Sequence, residues 1–402
     1  MILIQRRYAY PMNMIACRHE EMLQNNNQER KEMPRSVCRQ ILFPQQGESV
    51  CRIPSLAIAP DGAILAIAQF RKGSRHDFGH ESDIVMRRST DGGETWSEPR
   101  VLVTRPGCDH HNGPVVVDHE ARRVILFFRR WSATFTSPRH YLEELITRKD
   151  YWRSWGLGTF YITSEDGGNS WSPPRRLQID HLQVLTEIRA GNGINGIQLS
   201  DGTLVVQGCY ESSRQGSPDP ADVREHSILM ISRDHGESWQ AGPEWETGYA
   251  HQEYCLAQIA PDRLYINQRT RGPYRKVSIL DLGTGRIIRQ WDDMQLPEPV
   301  CHASAIAGGA GCLLFCNPAV ANHRGGFDAE TRHSLTVRLS CDSGQTWPHA
   351  RLLTPDKSGY SALAFVPETA TVFCLYETGP HHYNDSIAMA RFPMTWLTEG
   401  GG

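Results

Sequence analysis

The sequence predicts an all-β fold, a six-bladed β-propeller, and three observations carry that expectation. An eight-residue pattern, S-x-D-x-G-x-(T/S)-W, occurs four times, from Ser89, Ser164, Ser232 and Ser340. Six further segments (60–71, 119–130, 200–211, 261–269, 309–318 and 367–377) each run from a tight turn into a short apolar stretch. Convincing helical stretches are few. Small units that recur along one chain fit a repeat architecture, and four-stranded sheets around a central channel accommodate both kinds of mark.

The eight-residue pattern has the composition of a hairpin turn. Its aspartates (Asp91, Asp166, Asp234 and Asp342) are suited to cap backbone N–H groups, and its glycines (Gly93, Gly168, Gly236 and Gly344) to take positive φ. Its tryptophans (Trp96, Trp171, Trp239 and Trp347) restart a strand with a large apolar anchor. These acids therefore read as structural. The stretch from Asn267 to Ser340 lacks one such mark. One exception to the strand pattern, from Pro138 to Trp155, could form a helical turn or two in an inserted loop. Its Tyr141, Tyr151, Trp152 and Trp155 would either cover the mouth of the channel or pack as a surface excursion.

Residues 1–47 are polar, with an Asn/Gln run and no signal-peptide apolar region, and read as a loosely attached extension preceding a propeller over 48–402. Charged residues make up 22% of the chain and balance to −3, so there is neither a basic face for nucleic acid nor an acidic tail. The apolar runs are too short for an integral membrane segment. Eleven cysteines without a CxxC pair, several inside apolar runs (Cys209, Cys255 and Cys374), suggest buried free thiols in a reducing, cytoplasmic setting. A start assigned too far upstream or downstream would leave export open.

Propellers carry function on loops at one end of the channel, so charges at strand ends draw attention. Arg52 opens C-R-I-P-S-L, Arg269 closes Y-I-N-Q-R, Glu377 closes F-C-L-Y-E, and Glu253 lies in H-Q-E-Y-C-L. A lone charge in such a place is ordinarily a solvated rim group; the set together is unusual.

With these residues the chain closely resembles the sialidase (neuraminidase) family of exo-glycosidases, in which R-I-P and repeated Asp-boxes accompany a six-bladed propeller. The likeness runs from about Ile41 to the C-terminus. It implies an arginine triad of Arg52, Arg269 and Arg332, a tyrosine nucleophile at Tyr360 in G-Y-S-A-L, and Glu253 as its carboxylate partner. It also implies Asp77 as the acid/base residue on a mobile loop, ahead of the rival Asp83, and Glu377 as the group that steadies Arg52. Arg71 and Asn112 fall where the family lines the sugar pocket, although Asn112 replaces an aspartate found in some relatives.

The implied chemistry suits the implied residues. A sialic acid carries a carboxylate on its anomeric carbon. Three guanidiniums can hold that carboxylate and remain charged at any relevant pH. A carboxylate nucleophile would meet it with like charge, whereas a neutral phenol avoids the repulsion, and sialidases are the noted exception to the two-carboxylate scheme. A phenol of ordinary pKa near ~10 needs a base within reach, the role implied for Glu253. No cofactor or metal is required. Asp109-His110-His111 looks metal-like, but three adjacent side chains cannot face one ion, and a loop is expected there. The glycines of R-A-G-N-G-I-N-G-I (189–197) suggest backbone close to the pocket rim, with Asn192 or Asn195 touching substrate; His251 and Tyr249 would line the aglycone side.

The expected function is retaining exo-α-sialidase action on terminal sialic acids of glycans, glycoproteins or glycolipids. The alternatives are the same chemistry on another 2-keto sugar acid (Kdn or Kdo), or a non-catalytic sialic-acid-binding propeller. A binding module would have no use for Asp77, Glu253 and Tyr360 together.

Overall fold

The computed structural model describes residues 36–399 apart from 138–139, 141–142, 145–153, 182–186, 194, 214–222, 246–252 and 310. The described residues form five antiparallel sheets in a β-propeller arrangement. Strand β1 (Cys38–Phe43) comes first among the described residues but joins the last sheet. The first sheet is a meander of β2 (Val50–Ile58), β3 (Ile64–Arg71), β4 (Ser82–Ser89) and β5 (Arg100–Val103). The second contains β6 (Cys108–Asp118), β7 (Arg123–Ser132), β8 (Gly158–Ser164) and β9 (Arg175–Arg176). In the third, β10 (Arg189–Ala190) and β11 (Ile197–Gln198) both pair with β12 (Leu204–Ser213), followed by β13 (Val223–Ser232) and β14 (Gln240–Trp245). The fourth is β15 (Tyr254–Ala260), β16 (Arg263–Gln268), β17 (Tyr274–Asp281) and β18 (Arg286–Pro297).

The remaining strands make one seven-stranded sheet: β19 (Ser304–Ala307), β20 (Leu313–Pro318), β21 (His333–Ser340), β22 (His349–Val366), β23 (Thr371–Gly379), β24 (Ser386–Pro393) and then β1. The long β22 pairs with β21 through its first half and with β23 through its second. A short helix at Thr395–Thr398 follows, and no helix of the described residues is long and apolar enough to cross a membrane.

Each of the six turn-plus-apolar segments contains the second strand of such a unit: β3, β7, β12, β16, β20 and β23. These strands are apolar on both faces because each sheet packs between two others; β3, for example, reads I-L-A-I-A-Q-F-R with only Phe70 partly exposed. The first strands of neighbouring sheets touch around the central axis, β2 lying against both β6 and β22.

The four repeated turns form as their residues require. In the first, Ser89 Oγ donates to Asp91 Oδ1 at 2.8 Å, Thr95 N donates to the same oxygen at 3.0 Å, and Gly93 N donates to Ser89 Oγ at 2.9 Å. The other three repeat this network. Each Gly has φ between 81° and 87°. Each also lies against the second strand of a neighbouring unit: Gly168 on Leu65, Gly236 on Ile125, Gly344 on Tyr265 and Gly93 on Phe373. The last of these contacts closes the ring. The fourth sheet, which lacks the pattern, turns instead at Asp281, which accepts from Thr284 N at 2.7 Å.

Three expectations need correction. Cys38–Phe43 pairs with β24, and its Leu42 and Phe43 pack in the core beside Ile387 and Met389; the last part of the expected extension is therefore a strand of the last sheet. Asp109, His110 and His111 lie in strand β6, not in a loop, and no metal-binding cluster occurs among the described residues. Cys312 and Cys341 form a disulfide, since they flank the paired Leu313 and Ser340 on adjacent strands. The other described cysteines are free thiols, all buried except Cys38. Of the inserted segment, Tyr141, Tyr151 and Trp152 lie outside the described residues, as do Tyr249 and His251, whereas Trp155 is exposed.

Candidate active site

Register places the candidate residues at one end of the sheets and the repeated turns at the other. In β3, Arg71 pairs with Ser82 while Ile64 pairs with Ser89, the first residue of a turn. Seven strand residues separate the two ends, about 23 Å. Around the axis, successive first strands each bring one polar residue to the same end: Arg52 on β2, Asn112 on β6, Asn192 where β10 and β11 are interrupted, Glu253 just before β15, His302 just before β19, and Tyr360 on β22.

The centre of the cluster is a tyrosine–carboxylate pair. Tyr360 Oη donates to Glu253 Oε1 at 2.5 Å, while Arg269 Nη1 lies 2.5 Å from Glu253 Oε2 and 3.1 Å from the phenol oxygen. All three side chains are buried. Burial opposes ionisation of Glu253, but the Arg269 guanidinium and the donated Tyr360 hydroxyl outweigh it and hold the carboxyl at about 2. Burial and the neighbouring Glu253 charge together push the Tyr360 phenol well above its ordinary value, although Arg269 and Arg332 partly counter them. The resting pair is thus a neutral phenol donating to an ionised carboxylate.

The other two arginines flank this pair. Arg52 Nε donates to Glu377 Oε1 at 2.7 Å, and the same carboxylate accepts from Ile53 N and Tyr360 N at 2.9 and 3.1 Å. Glu377 therefore joins the first arginine to the tyrosine's own backbone. Arg332 Nη2 donates to Val300 O at 2.8 Å. Its guanidinium and that of Arg52 lie 5.6 and 5.7 Å from the Tyr360 ring, and 4.6 and 5.5 Å from Tyr383. Two β-branched residues beside these arginines, Ile53 (φ 55°) and Val300 (φ 57°), occupy left-handed backbone, strain of a kind that clusters at functional sites.

Asp77 is the carboxylate beside the triad. Its side chain is 66% exposed, 2.8 Å from Arg71 Nη1 and 3.6 Å from Arg52 Nη1. Desolvation in the cleft opposes its ionisation, but those two guanidiniums hold its carboxyl well below the usual range. The rival Asp83 is buried in β4 and paired with Lys72 at 2.9 Å. Arg71 is fully buried and also donates to the carbonyls of Arg75 and His76, so it organises the loop that carries Asp77. Asn112 does not line the pocket as expected. Its amide donates to Ile53 O at 2.7 Å and Ser55 Oγ at 2.9 Å, because the left-handed turn at Ile53 aims that carbonyl at β6.

Tertiary contacts reveal residues that sequence reasoning missed. His302 stacks on Tyr360 with ring centroids 4.8 Å apart and planes 21° from parallel, and burial pushes its imidazole down to about 3. Buried Glu298 pairs with Arg275 and accepts from Cys301 N at 2.7 Å, fixing the turn that presents Val300 to Arg332. The signal in P-V-C-H-A-S was only a histidine ahead of an apolar run. Of the two asparagines expected near substrate, Asn192 donates its amide to Glu253 Oε1 at 3.2 Å, and its carbonyl accepts from Arg129. Asn195 donates to Leu363 O at 2.9 Å.

The chain is similar to several known proteins. Residues 64–373 match the family described as BNR repeat-like domain. A sialidase of Micromonospora viridifaciens is 29% identical over 86% of this chain and 52% of its own length. One from Bacteroides fragilis is 26% identical over 82% of this chain and 60% of its own. The chain thus spans between half and two thirds of those relatives. Among solved structures, a Hadza microbial sialidase has the same fold, with a TM-score of 0.70 and 24% identity over 87% of this chain and 66% of its own. The chain belongs to the BNR repeat-like domain family.

Proposed function

We propose that the chain is a retaining exo-α-sialidase that removes terminal sialic acids from glycans, glycoproteins or glycolipids through a covalent tyrosyl–sialosyl intermediate. The observation that carries this reading is the buried Tyr360–Glu253 hydrogen bond of 2.5 Å beside three guanidiniums. A carboxylate-bearing anomeric carbon would be held by Arg52, Arg269 and Arg332 over the phenol oxygen. In the first step Tyr360 Oη bonds to C2 as the glycosidic C2–O bond breaks; the phenol proton passes to Glu253, and Asp77 protonates the departing oxygen. In the second, water attacks C2 and gives its proton to Asp77, while Tyr360 leaves and recovers its proton from Glu253. Two inversions give net retention.

One electrostatic detail favours this order. The guanidiniums of Arg71, 2.8 Å away, and Arg52, 3.6 Å away, together keep Asp77 ionised in the empty site. A substrate carboxylate on Arg52 would offset that charge, raising the Asp77 pKa when an acid is needed. We also infer six blades. The seven-stranded sheet divides naturally within β22, where pairing passes from β21 to β23, and each resulting half has four strands when β22 is counted in both.

The test is release of fluorophore from the α-glycosides of N-acetylneuraminic acid, Kdn and Kdo, with Tyr360→Phe alongside. Turnover of the first that falls at least about a thousandfold in the variant supports the reading. Turnover of Kdn or Kdo alone keeps the mechanism and changes the substrate. Binding of sialic acid without turnover makes the chain a binding module.

A further inference from the structure

Asp77 is the one member of the cluster that burial does not hold. It lies in the loop between β3 and β4, which has two positive-φ glycines, Gly73 and Gly79, and its side chain is largely exposed. A general acid must nevertheless sit within hydrogen-bonding reach of the leaving oxygen, and errors near 1 Å cost on the order of a hundredfold. Contacts on three sides help fix the loop. From beneath, Arg71 binds two of its carbonyls and Asp77 itself. On one flank Phe78 stacks on Trp131 of β7, ring centroids 5.6 Å apart and planes 8° from parallel. On the other, Arg75 Nη1 donates to Asp385 Oδ1 at 3.1 Å, across 310 residues.

The acceptor in that last contact is itself rigid. Asp385 is buried, and its second oxygen accepts from the backbone amides of His381 and His382 at 3.1 and 2.9 Å. The same short loop carries Tyr383, whose ring lies over Arg52 and Arg332. One turn therefore touches the arginine cluster through Tyr383 and the Asp77 loop through Asp385.

We propose that Arg75 and Asp385 form a clasp that positions Asp77 over the arginine cluster, making Arg75 a positioning residue for proton delivery to the leaving group. The inference rests on the sialidase reading above and on Asp77 as its acid. It predicts a dependence on leaving group that general destabilisation would not produce. A nitrophenolate departs without a proton, whereas an alkoxide needs one.

The experiment compares kcat/KM for the 4-nitrophenyl and methyl α-glycosides of N-acetylneuraminic acid in the full chain and in Arg75→Ala, Arg75→Lys, Asp385→Asn and Asp77→Ala, with thermal midpoints recorded for each. Asp77→Ala should lose activity selectively on the methyl glycoside. Arg75→Ala should follow it, losing roughly 30-fold on the methyl glycoside and less than about threefold on the nitrophenyl one. Arg75→Lys and Asp385→Asn should fall between Arg75→Ala and the unchanged chain. Equal losses on both substrates, or no loss in the Arg75 and Asp385 variants while Asp77→Ala discriminates, would overturn the clasp alone. An Asp77→Ala variant that fails to discriminate would remove the acid assignment and the clasp with it. A chain that hydrolyses neither glycoside would refute the functional reading itself.

Discussion

At one end of the sheets, the carboxylates of Asp91, Asp166, Asp234 and Asp342 accept hydrogen bonds from groups no more than four residues away. At the other, Glu253 binds a tyrosine 107 residues distant and Glu377 an arginine 325 residues distant. The first group is exposed or half-buried, repeated and satisfied within its own turn. The second is buried, unrepeated and assembled from different sheets. Local networks cost little and recur wherever a unit needs a turn. Buried charges are expensive to desolvate and persist only where opposite charges and hydrogen bonds offset that cost. The left-handed Ile53 and Val300 lie at the second end, where chemistry gives strain a reason to be retained.

Four substitutions test that contrast. The largest effect should come from Glu253→Gln, which leaves Tyr360 without its proton acceptor; kcat should fall on the order of a thousandfold, read by steady-state release of an aryl aglycone. Arg332→Lys replaces a fork with a point charge, and should raise KM for an anionic glycoside roughly ten- to a hundredfold with a smaller change in kcat. An unchanged KM would mean that this arginine serves the fold, not the ligand.

His302 tests the buried end of the contrast. Its folded pKa of about 3 lies below the ordinary 6.5, so the unfolded chain binds its proton first. Its contribution is therefore complete above pH 6.5 and is lost as pH falls toward 3. Between pH 7 and 4.5 the unchanged chain should lose up to about 2.5 kcal/mol more stability than His302→Gln, measured by denaturant unfolding at both values. Parallel losses would show that the imidazole does not stay neutral beside Tyr360. The smallest effect belongs to Asp166→Ala, which removes one local cap. Stability should drop by about 1 kcal/mol while kcat and KM stay within twofold.

Much of this molecule is legible in its sequence. The four turns depend on Ser, Asp and Gly within five residues of one another, and the second strands are apolar on both faces, so local sequence sufficed for both. The strand nature of Asp109–His111 was less legible, because three polar residues disguise a buried strand whose polar groups bond one another: His111 Nε2 lies 2.9 Å from Asp109 Oδ2, and Ser82 Oγ donates to Asp109. The candidate site divides similarly. Arg52, Arg269, Arg332, Glu253, Tyr360 and Asp77 could be named from the motifs around them, and the fold brings them to one end.

By itself, then, the sequence determined the strand-and-turn units and the types of residue available for chemistry, since periodicity, caps and positive-φ glycines act over a few neighbours. Tertiary structure alone decided which groups those residues meet. It spent the Asn112 amide on the Ile53 carbonyl, put His302 under the Tyr360 ring, bound Asn192 to Glu253, and tied the Asp77 loop to Asp385 across the ring closure. Each of those contacts joins residues at least 58 apart in sequence, from Tyr360 and His302 at the shortest to Arg75 and Asp385 at the longest. A hydrogen bond or stacked pair between such distant residues leaves no local pattern in the chain, because it exists only once every sheet is in place.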